Sequence, residues 1–130
     1  MSYKIFAVIL LSANLASAAP VADELDTAIA EEHAASTREQ INAQLTIIAE
    51  RDIVTAQIIR DMARTQWDAA VREHRPDAAG TWAKRHSLAM RDEREAQERA
   101  SFYAIERDQA RREFEASAAK VRRLDIRASR

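Results

Sequence analysis

A chain of 130 residues holds one domain at most, and its formal charge of −1 gives no overall attraction for nucleic acid. The absence of cysteine excludes a disulfide framework and thiolate chemistry. One glycine and two prolines, with 47% apolar and 32% charged residues, make the composition of long helices.

Residues 1–18 have the form of a secretory signal peptide. Lys4 supplies the positive start, Ile5 to Leu11 the apolar run, and Ala16-Ser17-Ala18 the small-x-small pattern before a cleavage site. Cleavage is expected after Ala18, because a cut after Ala19 would leave Pro20 directly behind it. The apolar run is about fifteen residues, short of the roughly 20 that span a bilayer. An exported protein is therefore expected, secreted or extracellular, and periplasmic if the source is a Gram-negative bacterium.

Residues 19–35 read as a short acidic helix, with Val21, Leu25 and Ile29 at spacings of four. Ser36-Thr37-Arg38-Glu39 has the S-x-x-E form of a capping box, which marks a break or a fresh helix start at Ser36, the alternative being one continuous helix through residues 33–37. A first long helix follows over 36–74. Ile41, Leu45, Ile48, Ile59 and Met62 share one face of it, widened by Ile47, Val54 and Ile58. An arc this wide is suited to two neighbours instead of one.

Residues 75–81 are the expected turn. Pro76 disfavours helix at Arg75, and Gly80 tolerates the backbone angles of a tight reversal. A second long helix then covers 82–128. Alternating steps of four and three from Trp82 pass through Ala89, Glu93, Ala96, Tyr103, Arg107, Ala110 and Phe114 to Leu124 and Ala128, a seam at heptad spacing.

Two long helices joined by one turn predict an all-α, antiparallel, coiled-coil-like hairpin with a short N-terminal helix, self-associating into a bundle. A hairpin centred near Asp77 and Ala78 sets Ile41 opposite Phe114, Leu45 opposite Ala110 and Ile59 opposite Ala96. It also brings the acids Asp23, Glu24, Asp26, Glu31 and Glu32 towards the bases Lys120, Arg122, Arg123 and Arg127. In that register Asp52 comes near Tyr103 and Arg107, predicting an ion pair inside the bundle that fixes alignment.

The sequence carries no nucleophile motif, glycine-rich phosphate loop or paired acid–base signature. His33, His74 and His86 lack the spacing of a metal site, so no metal or other cofactor is expected. The function that follows is non-catalytic, by protein–protein contact, with a second copy and an unknown protein as partners. Two alternatives are a secreted precursor processed at Lys84-Arg85 and an amphipathic protein bound to a lipid surface.

Overall fold

The computed structural model describes residues 18–130. They form two α-helices, α1 over Ala18–Arg72 and α2 over Pro76–Ala128, arranged as an antiparallel hairpin. The described chain divides into two compact units, one of residues 40–107 and one pairing 18–39 with 108–130.

The first departure from expectation is at Ser36. No short N-terminal helix stands apart, because α1 runs without a break from Ala18 through Ser36 to Arg72. The heptad of small residues carries Ala28 and Ala35, both buried, into the long helix without a change of phase. Ser36 therefore stays helical. Thr37 donates its hydroxyl to the carbonyl of His33 at 2.9 Å, a bond made within a continuing helix.

The second departure is the turn, which is three residues long and not seven. Arg75 N–H donates to the Ala70 carbonyl at 2.9 Å and His74 N–H to the Val71 carbonyl at 3.2 Å, the two bonds of a Schellman cap. His74 occupies the left-handed position of that cap with φ 54°, which histidine adopts more readily than most side chains. Pro76 then opens α2 at its first helical position, where a missing N–H costs nothing. Gly80 lies inside α2, so the reversal owes nothing to it.

Shortening the turn moves the register by about half to one helical turn. In the 40–107 unit, Asp52 meets Arg99, Arg60 meets Glu93 and Trp67 meets His86, with numbers summing to 151, 153 and 153. The expected opposition of Leu45 to Ala110 and Ile59 to Ala96 required about 155 and is not the one adopted. In the 18–39 and 108–130 unit, Glu31 meets Lys120 and Arg38 meets Glu113. The acidic start and the basic end of the helices do come together.

The third departure concerns which face of α1 turns inward. Its buried positions are Ala28, Ala35, Thr46, Ala49, Ala56, Ala63 and Ala70. Apart from Thr46 they recur at multiples of seven, and Ile53, Arg60 and Trp67 lie half-buried between them. On α2 the seam is the expected one, with Ala89, Ala96, Ala110 and Leu124 buried and Trp82, Glu93, Tyr103 and Phe114 half-buried. Small side chains on both sides let helices approach to the short end of the roughly 8–10 Å range. Each buried methyl contributes only about 0.8 kcal/mol, so this core is thin.

Candidate protein-interaction surface

An alanine seam leaves the bulky side chains of α1 outside. Ile41, Ile47, Ile48, Val54, Ile58, Ile59 and Met62 are all between 43% and 59% exposed. The face expected to form the core is therefore solvent-facing in the single chain. Ile41, Leu45, Ile48, Asp52, Thr55, Ile59 and Met62 follow each other by alternating steps of four and three. That is a second heptad seam on the same helix, about 110° around its axis from the alanine seam.

The hairpin extends this face across to α2. Phe102 and Leu88 of α2 are exposed as well. Phe102 is braced by an edge-on contact to the Tyr103 ring, with centroids 5.6 Å apart. A shallow open groove over Gln40, Ile41, Ala43, Gln44 and Leu45 lies at one end of the face. This many exposed large apolar side chains on one hairpin point to an interaction surface.

Polar pairs join the two helices beside it. Asp52 accepts a hydrogen bond from the Arg99 guanidinium at 3.0 Å, and both side chains are about half exposed. This replaces the expected pairing of Asp52 with Arg107 and Tyr103: the carboxylate is about one helical turn from where the longer turn would have put it, at the surface and not inside. Tyr103 and Arg107 are half-buried members of the α2 seam.

The ion pair closest to the seam is one the sequence did not reveal. Arg60 Nη1 donates to Glu93 Oε2 at 2.6 Å, and Gln57 Nε2 donates to Glu93 Oε1 at 3.0 Å. Glu93 is evident as the acid in the α2 seam, but Arg60 reads as part of the polar face of α1 until the register is known. The Asp61 carboxylate, with Glu93, holds the Arg60 guanidinium above its ordinary pKa. Among the described residues, every buried side-chain N or O atom has a hydrogen-bond partner. At the other unit, the Gln109 amide and then the Arg38 guanidinium keep the Glu113 carboxyl below the usual carboxylate range.

The remaining expected sites fall as follows. Of the expected leader, 1–18, residues 1–17 with Ala16 lie outside the described residues, while Ala18 and Ala19 open α1. Lys84 and Arg85 are exposed but helical, in the third turn of α2, and the Arg85 guanidinium sits 4.7 Å from the Trp82 ring centroid. A protease needs that dipeptide extended, so cleavage there requires local unwinding. Among the described residues, no group of three or more acidic or histidine side chains is placed to hold a metal ion, and no helix is long and apolar enough to cross a membrane. Comparison with protein-family models, curated proteins and solved structures found no match.

Proposed function

We propose that this is an exported, non-catalytic protein that works by protein–protein contact through the apolar face of α1, with a second copy as one partner. The observation that carries the reading is the set of seven large apolar side chains left about half exposed on one helix. Completing their burial would supply the apolar area that the alanine core lacks, at about 25 cal/mol per Å². Support for export comes from the leader pattern of residues 1–18.

The lipid-surface alternative is weaker, because the face carries Asp52 within it and Asp61 and Gln66 near its end, with Arg51 as the basic residue beside Asp52, whereas helices that lie on lipid carry lysine and arginine all along the margin. The test is affinity capture from the native exported milieu with the mature chain, wild type against Ile48→Glu/Ile59→Glu. Retention of a protein, either a second copy or another chain, by the wild type alone supports the reading. Equal retention by both forms, or retention of lipid alone, overturns it. Mass spectrometry of the same material gives the mature N-terminus and shows whether the chain has been cut after Arg85.

A further inference from the structure

The capping box Ser36-Thr37-Arg38-Glu39 is intact in the sequence and idle in the fold, because α1 runs straight through it. Ser36 and Glu39 are half-buried members of a continuous helix, where the reciprocal bonds of a helix start are not made. The boundary between the two compact units falls at the last residue of this box, between Glu39 and Gln40.

The helix before the box is held differently from the helix after it. Before it, Ala28 and Ala35 are buried, and the seam positions Val21, Leu25 and Glu32 are half-buried. After it, Thr46, Ala49, Ala56, Ala63 and Ala70 are all buried. What the first segment has instead is charge. Residues 19–35 carry Asp23, Glu24, Asp26, Glu31 and Glu32, with no lysine or arginine. In the same unit, residues 111–130 of α2 carry seven lysine and arginine residues against Glu113, Glu115 and Asp125. Lys120 Nζ donates to Glu31 Oε2 at 3.2 Å, and both side chains are about half exposed, so salt screens the pair.

We infer that residues 19–35 are a strap over the basic end of α2, which opens as one unit when α1 breaks at Ser36. The idle box then becomes the cap of the shortened helix. A break at an ordinary residue leaves the first amides of the new helix without acceptors. At Ser36 the hydroxyl accepts from the Glu39 N–H and the Glu39 carboxylate from the Ser36 N–H, so the open form costs less there than elsewhere in α1. Arg38 lies beyond the break and keeps its pair with Glu113, which marks the base of the strap. Opening uncovers Phe114, Val121 and Leu124 beside Lys120, a basic amphipathic helix end that the closed strap withholds. The device does not depend on the contact face of residues 41–62.

The test is native-state hydrogen exchange of the mature chain, read amide by amide by NMR at neutral pH. A break at Ser36 frees the amides of 24–38 together, because the shortened helix first bonds its own backbone at Gln40. The expected profile is one opening constant over 24–38 and protection higher by about tenfold or more from Gln40 onwards. Raising sodium chloride from about 20 to about 500 mM should lower the protection of 24–38 by about threefold or more, and that of 42–66 by less than about twofold. Ser36→Ala removes the cap of the open form and raises helix propensity in the closed one, so protection of 24–38 should rise about tenfold. Ala34→Ser changes propensity alone and should lower it about twofold.

Protection that climbs smoothly from residue 24 past Gln40 is end fraying and overturns the strap. One opening constant shared by the whole of α1 overturns it too. A Ser36→Ala effect no larger than that of Ala34→Ser removes the box as the breaking point, and an unchanged profile at high salt removes charge as the hold. Either result overturns the inference.

Discussion

Replacing Ala63 by leucine sets two effects of similar size against each other. Leucine adds three carbons, and if the seam had room their burial would stabilise the fold by about 2 kcal/mol. Ala63 is 1% exposed, and the register sets it opposite Ala89, which is 3% exposed, so both sides of the site are already filled. Overpacking such a site costs about 1–3 kcal/mol net, because the helices must separate or the side chain must leave its rotamer. Separation would also stretch the adjacent Arg60–Glu93 bond of 2.6 Å. At about 4–8 °C per kcal/mol for a chain near this size, Ala63→Leu should melt roughly 4–24 °C below the wild type. The assay is a far-UV circular dichroism melt at one fixed protein concentration, since self-association raises Tm by mass action. Ala34→Leu, on an exposed position of the same helix, is the control and should shift stability by less than about 0.5 kcal/mol. An Ala63→Leu variant that melts above the wild type would refute the alanine seam.

Gly80→Ala tests the shortened turn. Gly80 lies in α2, and a Cβ there would meet nothing within 4 Å, so the substitution should stabilise by about 0.5–1 kcal/mol in the same melt; a loss would put Gly80 back in the turn. Glu113 gives a pH-dependent outcome. Its folded-state pKa is lowered by Gln109 and Arg38, so the stability it contributes is present above the ordinary carboxylate pKa and is lost as pH falls through the lower folded value. Glu113→Gln should therefore melt below the wild type at neutral pH and converge with it in acid. A gap of constant size across that range would show that the pairing is not the cause.

A good part of this fold is legible without coordinates. The all-helical class, the reversal at Pro76 and the α2 seam from Trp82 to Leu124 follow from composition and from a spacing that only a helix satisfies. The start of α1 misled because Ser36 to Glu39 satisfies a capping box locally, while the heptad through Ala28 and Ala35 demands a continuous helix. The Arg60–Glu93 pair and the partner of Asp52 were illegible because each depends on the register, and the register depends on turn length. That length in turn hinges on the backbone of His74, which carries no strong left-handed signal of its own.

The sequence by itself determined that α1 has two stripes at heptad spacing, one of alanine and one of isoleucine and methionine. Both have the period of a packed seam, and hydrophobicity alone ranks the larger side chains as the core. Only the tertiary structure decided between them. In a two-helix pair the alanines face α2, where small side chains permit close approach and align Arg60 with Glu93 and Trp67 with His86. Because a helix can turn only one stripe towards a single partner, that choice put the apolar arc on the outside and made it the protein's candidate surface for contact.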